Sequence, residues 1–196
     1  MMLMQLISPL EPANAVEDEM LVARAQQNLG AFSELYQRHV QRVYRYVLVR
    51  VGGNVQDAQD LTSQTFLAAM EGLKSYRSTQ PFVAWLLGIA RHKVADQFRC
   101  QKPQVDLETA VFLPHTPSDD PDEQLDQQLD IARVTRKLQT IAPDRAEVIT
   151  LRLMAGLEVA DIARMLGKNE AAVRMLLFRG LRDLQAQLNV PQESNA

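Results

Sequence analysis

The sequence predicts an all-α fold: two small helical domains joined by an acidic, proline-containing linker. Three observations predict it. Apolar residues recur at three- and four-residue steps over long stretches on both sides of the linker. No segment alternates with period two for long enough to make a strand. Residues 102–121 read KPQVDLETAVFLPHTPSDDP, rich in proline and acid and without sustained periodicity. The expected boundaries are 18–103 for the first domain, 104–121 for the linker and 122–190 for the second domain. Val111, Phe112 and Leu113 stand out in the linker, because a solvated spacer needs no three adjacent apolar residues.

In the first domain, a short helix over Asp18–Gln27 precedes three long ones. Phe32, Tyr36, Val40, Val43, Val47 and Val51 form one apolar stripe. Gly52-Gly53 stops that helix, and Asn54 is placed to cap the next. The next runs to about Leu73, with Ala58, Thr62, Phe66, Ala69 and Leu73 inward. A polar loop, Lys74–Gln80, leads to Pro81, which suits the first turn of a helix over 82–101. In the second domain, helices are expected over Asp122–Ile141, Asp144–Ala155, Val159–Leu166 and Glu170–Leu188. Pro143 opens the second of these and Gly156 ends it. Gly167-Lys168-Asn169 makes a tight turn before the last, with Asn169 as its cap. A short helix, a glycine-containing turn and a longer helix is the layout of a helix-turn-helix.

The 196 residues are 46% apolar and 23% charged, with net charge −3. Those values suit a globular chain and argue against disorder. The net charge hides a segregation: residues 18–103 carry +4, residues 104–130 carry −8 and residues 131–190 carry +4. Partners therefore follow from the blocks, not the total. A single cysteine, Cys100, excludes an internal disulfide framework. No apolar run is long enough to cross a bilayer. Met1–Ile7 lacks the basic start and cleavage site of a secretory signal, so a cytoplasmic location is expected.

Catalytic patterns are missing. His39, His92 and His115 sit in no metal-binding or nucleophile motif and read as surface or boundary histidines. No phosphate-binding loop or nucleophile elbow occurs. Asp57 and Asp60, three apart on one helix, lack further ligands and read as a solvated face. The expectation is a protein that is not an enzyme, with no metal, no cofactor and no small-molecule substrate.

Binding surfaces are more legible. On a wheel of about 100° per residue, Arg91, Lys102, Arg99 and His92 share one sector of the third long helix. Trp85, Ile89, Leu86, Val94 and Phe98 fill the other side, and Lys93 snorkels. A solvated face normally mixes signs, whereas a single-sign stripe suits a phosphate-tracking helix. The loop before it interleaves Tyr76 and Phe82 with Lys74 and Arg77. Aromatic faces beside cations suit unpaired bases; the alternative is that both rings pack inward. The helix before the loop carries Asp57, Asp60, Gln64 and Glu71 on one face, suited to a basic protein surface or simply to solvent. On the last helix, Val173, Leu177, Gly180 and Leu184 point to the core. Met175, Phe178, Arg179 and Arg182 lie outside, with Arg174 on the flank. Exposed Met and Phe between arginines suit base edges and phosphates in a major groove.

Taken together, AFSELYQRHVQRVYRYV, VGGNVQDAQDLTSQTFLAAMEGL, PFVAWLLGIARHKVADQFR and IAPDRAEVITLRLMAGLEVADIARMLGKNEAAVRMLLFRGLRDL, in this order, resemble the extracytoplasmic-function (ECF) sigma factors, which keep only regions 2 and 4 of the sigma superfamily. The resemblance covers roughly residues 18–103 and 122–188. It implies that Asp57, Asp60, Leu61, Gln64 and Phe66 dock on bacterial core RNA polymerase. It implies that Lys74, Tyr76, Arg77, Arg91, His92, Arg99 and Lys102 open and hold the −10 element of promoter DNA. Arg174, Met175, Phe178, Arg179 and Arg182 then read the −35 element, and an anti-sigma factor is a further expected partner. Gln64 stands where the family usually has an acid, and Glu158 where a hydroxyl cap is common. Met175 and Leu176 replace residues that are often small-polar and basic. Two other readings compete. A helix-turn-helix regulator outside the polymerase would need no DAxDLTxxTF stripe in its first domain. A helical protein-interaction module would need no basic stripes.

Overall fold

The computed structural model describes residues 15–100 and 132–188. The helices are α1 (Ala15–Gln27), α2 (Phe32–Arg50), α3 (Val55–Gly72), α4 (Phe82–Cys100), α5 (132–138), α6 (Pro143–Ile149), α7 (Val159–Leu166) and α8 (Glu170–Leu188). Among the described residues there is no strand, as the missing period-two pattern predicts. Lys102, His115, the Val111–Leu113 run and the first part of the 122–141 helix lie outside the described residues.

The helix ends follow local chemistry. Asn54 Oδ1 accepts a hydrogen bond from the Asp57 amide at 3.0 Å, and Asn169 Oδ1 accepts one from Ala172 at 2.7 Å. Each side chain satisfies one of the amides that a helix start leaves unpaired. Pro81 offers its carbonyl to the amides of Ala84 and Trp85. α7 ends at Gly167, whose φ of +62° is left-handed, and Lys168 then closes back on the Ala163 carbonyl.

One element departs from expectation. The regular α-helix ends at Ile149, and Thr150–Met154 form a π turn rather than continuing to Ala155. The Thr150 hydroxyl donates to the Ala146 carbonyl at 2.8 Å, and Ala155 donates five residues back, to Thr150. The wider turn delivers the chain to Gly156, at φ +72°. A Cβ at Gly156 would stand 2.6 Å from Arg42 Nη1, and Arg42 also donates to the neighbouring Ala155 carbonyl at 3.3 Å. Glycine here permits both the backbone reversal and the approach of a guanidinium.

α2, α3 and α4 pack on one another, and α1 lies across α2. α6 and α7 both pack on α8. The two blocks abut: α2 touches the π turn, and α4 touches α7. The main core runs continuously from Leu35, Val43 and Leu86 to Val148, Leu151, Leu157 and Ile162. A second cluster joins Val49 of α2 to Leu138, Ile149, Met154 and Leu184. This explains why α2 carries more than one apolar stripe. Tyr44, Tyr46, Leu48 and Val49 are buried besides Val43 and Val47, because the second block covers a face that the first leaves open.

Two sequence expectations are corrected. His39 is fully buried, not at the surface. It stands 3.0 Å from buried Asp18, tying α1 to α2, and its ring lies 5.5 Å from that of Phe82. Phe98, expected on the buried side of α4, is 52% exposed. It borders a shallow cavity lined by Val49, Leu138 and Ile141.

Candidate protein and nucleic-acid interfaces

The first surface is the outer face of α3. Asp60 and Gln64 are exposed on it, while Asp57 is half-buried and accepts a hydrogen bond from Gln97 of α4 at 3.2 Å. Leu61 and Phe66, which the resemblance assigns to this docking surface, are core residues at 2% and 4% exposure, Phe66 facing inward as its helical period predicts. The helical period explains the difference: both sit on the side facing α2 and α4, beside Ala58, Thr62 and Ala69. Two exposed apolar side chains that the sequence reading passed over, Leu67 and Met70, lie there instead. Asp60, Gln64, Leu67 and Glu71 recur at steps of four, three and four, so they form one stripe, acidic at its ends with the amide of Gln64 and the apolar Leu67 between. Tyr36 adds an exposed ring edge-on to Phe66, with centroids 4.8 Å apart.

The second surface is the Lys74–Gln80 loop with α4. Lys74 and Arg77 are exposed. Tyr76 is not the free stacking platform that its place among cations suggests. It is buried, with ring centroids 5.7 Å from Phe82 and 5.1 Å from Trp85. Its hydroxyl donates to the Gln80 carbonyl at 2.6 Å, and burial raises its pKa above the usual phenol value. Gln26 of α1 reaches across to the Leu73 and Tyr76 carbonyls at 2.9 and 3.3 Å. The inward reading of both rings is therefore the one observed: Tyr76 braces the loop, and the loop presents Lys74 and Arg77. On α4, Arg91, His92 and Arg99 are exposed as the stripe predicts, and Lys93 is half-buried. Asp96 breaks the single sign, since it pairs with Arg99 at 2.5 Å. Lys102 falls outside the described residues.

The third surface is α8. Its inner side is set by Val173 and Leu184, both fully buried, and by Gly180. A Cβ at Gly180 would stand 2.8 Å from Ile149 Cδ1 and 3.1 Å from Arg145 Cβ. α6 and α8 thus approach more closely than a side chain allows. The Arg145–Asp183 pair at 2.5 Å flanks that crossing. The outer side carries Met175 at 49% exposure, Phe178 at 65%, and exposed Arg179 and Arg182. Arg174 is exposed on the flank and pairs with Glu170 at 2.6 Å. All five residues expected on the reading face are thus at the surface of one helix. Glu158, at the start of α7, makes no side-chain cap and instead pairs with Arg152 at 2.9 Å.

A fourth cluster was not legible in the sequence. Glu147 of α6 is 7% exposed and meets three donors from the first block. The Tyr46 hydroxyl donates to Oε1 at 2.9 Å, Arg50 Nη1 lies 2.8 Å from Oε2, and Arg91 Nε lies 3.5 Å from Oε1. Burial, followed by the charge of Glu147, pushes the Tyr46 phenol well above its ordinary pKa, so it stays a donor throughout the physiological range. Nearby, Gln139 Nε2 donates to the Val49 carbonyl at 2.9 Å, a second polar link between the blocks. Tyr46 and Glu147 stand 101 positions apart, beyond the reach of any local pattern.

Among the described residues, no group of three or more His, Cys, Asp or Glu side chains could hold a metal ion. Among them also, no helix is long and apolar enough to cross a membrane.

Comparison with known proteins identifies the two blocks. Residues 35–104 match the Sigma-70 region 2 family and residues 131–184 match the Sigma-70 region 4 family. The chain is 37% identical over 167 residues to the ECF RNA polymerase sigma factor BldN of Streptomyces coelicolor, covering 84% of this chain and 63% of BldN. It is 30% identical over 151 residues to the ECF RNA polymerase sigma factor SigD of Mycobacterium tuberculosis, covering 74% of this chain and 71% of SigD. In fold it is similar to CnrH, solved in complex with the cytosolic domain of CnrY, at TM-score 0.68 and 26% identity, covering 88% of this chain and 97% of the other. Two helical blocks that match regions 2 and 4 in order, with relatives of this kind, establish that the chain belongs to the ECF RNA polymerase sigma factors.

Proposed function

We propose that the chain confers promoter specificity on bacterial RNA polymerase, with residues 18–103 binding core enzyme and the −10 element and residues 122–190 binding the −35 element. The observation that carries this is the division of exposed chemistry among three separate faces. The acidic and apolar stripe of α3 suits a protein partner: Asp60 steers toward a basic surface, and Leu67 and Met70 supply apolar area. Lys74 and Arg77 on the braced loop, with Arg91 and His92 on α4, suit the backbone of a separated strand. Arg179 and Arg182 around Met175 and Phe178 suit a major groove, where a guanidinium reads guanine and an apolar side chain meets a thymine methyl.

No covalent chemistry is required of the chain, because it positions DNA on a polymerase that does the synthesis. Its place of action is the cytoplasm, where bacterial polymerase works. CnrH was solved in complex with the cytosolic domain of CnrY, and by extension this chain takes an anti-sigma partner of that kind.

The test is reconstitution. Core polymerase and the full chain are incubated with genomic fragments, and run-off transcripts are mapped. Discrete start sites that require the chain support the reading. Tight sequence-specific binding of the free chain to duplex DNA, with no effect on core polymerase, would replace it with that of a free-standing regulator.

A further inference from the structure

We propose that Tyr46, Arg50 and Arg91 form an anion site that takes a backbone phosphate of single-stranded DNA, and that Glu147 occupies it as an internal competitor holding the chain closed. The part concerning promoter DNA rests on the function proposed above.

The composition of the cluster points to a larger anion than a carboxylate. Two guanidinium groups and a phenol converge on one carboxylate, leaving one positive charge in excess. Glu147 also leaves donors unused. Arg50 Nε is buried without a hydrogen-bond partner, and Arg91 reaches Glu147 only at 3.5 Å while remaining 44% exposed. A phosphate offers more acceptor oxygens than a carboxylate and matches the fork of an arginine. Arg91 belongs to the exposed stripe of α4 that includes His92, so a strand following that stripe passes over the cluster.

Distance requires that the blocks separate. The −10 and −35 elements lie about 25 base pairs apart, which at about 3.4 Å per pair is about 85 Å along the duplex. A compact chain of this size has a radius of gyration of about 16 Å, hence a diameter of about 40 Å. The closed form therefore cannot place both blocks on their elements together. Separation withdraws Glu147 and would strand Tyr46 and Arg50 with unpaired donors. A phosphate supplies the acceptors that separation removes, so strand binding and opening favour each other.

The test uses the full chain in two measurements. Small-angle scattering reads compaction. Fluorescence anisotropy at about 0.1 M salt reads affinity for a labelled oligothymidylate of about 12 nucleotides, a length that one binding face can cover. Glu147→Gln keeps the shape but removes the charge. It should enlarge the radius of gyration and tighten oligothymidylate binding about tenfold. Adding Arg50→Gln should abolish that gain and lower the salt slope by about one phosphate contact. Gln139→Ala breaks the separate link to Val49 and should act in the same direction, even if Glu147→Gln fails to fold. Unchanged compaction and affinity in both opening variants would overturn the proposal. So would an affinity gain that survives Arg50→Gln. Neither measurement contains polymerase, so failure of the promoter-directed reading in run-off assays leaves both intact.

Discussion

Gly180→Ala tests how α8 is held in place. In an exposed helix interior this exchange stabilises by about 1 kcal/mol, because alanine loses less backbone freedom on folding. At Gly180 the new methyl would stand 2.8 Å from Ile149 Cδ1 and 3.3 Å from its Cγ1. Overpacking of this kind costs about 1–3 kcal/mol. The net expectation is a loss of up to about 2 kcal/mol, with α8 displaced from α6. Ile149→Val removes the offending Cδ1 and alone costs about 0.5–1.5 kcal/mol. In the double variant the alanine recovers most of its intrinsic advantage, so the two changes should couple favourably by about 1–3 kcal/mol. Urea unfolding of the four proteins measures this, provided the denaturant slope stays constant. Stabilisation by Gly180→Ala alone, or an additive double variant, would refute the claim that glycine sets the helix spacing.

Asp60→Arg should weaken association with core polymerase while leaving the melting temperature unchanged, since Asp60 is outward-facing; pull-down with core and thermal unfolding decide it. Tyr76→Phe should cost about 0.5–1.5 kcal/mol, the worth of its bond to Gln80. It should slow promoter opening on duplex templates more than on pre-melted ones, because the loop loses its brace. Stability should fall as pH rises above about 10, where unfolded phenols ionise. Burial raises the folded Tyr44 phenol to about 12 and pushes Tyr46 well above its ordinary value, so the folded state keeps protons that the unfolded state releases, and alkali favours unfolding. Spectrophotometric titration across that range should show these two phenols ionising together with loss of helix.

Most of the architecture was legible because it rests on local rules. Asn54, Pro81, Gly167 and Asn169 punctuate the helices by their own hydrogen-bonding and dihedral preferences, and each acts where the sequence places it. The outer face of α8 was legible for the same reason: a 3.6-residue period sorts Val173 and Leu184 from Phe178 and Arg179. What escaped depends on contacts between one element and the next, which a single helical period does not show. Leu61 matches a family motif, yet its side chain is core, and motif membership does not reveal which way a side chain points. Tyr76 turned inward because Gln80, Phe82 and Trp85 surround it. His39 was misplaced because its partner, Asp18, lies on another helix. Glu147 looked like an ordinary acid in a helix, and its role appears only when α2 and α4 bring Tyr46, Arg50 and Arg91 around it.

The central claim is that two faces of one chain address two promoter elements in a single complex. The most direct measurement is site-specific photocrosslinking within the complex with core polymerase, using a photoreactive side chain at Phe178 or at His92, both exposed. The account predicts that the Phe178 position crosslinks to duplex near −35 and the His92 position to the non-template strand near −10, each depending on promoter sequence. Crosslinks from both positions to one element, or to DNA without regard to sequence, would contradict it.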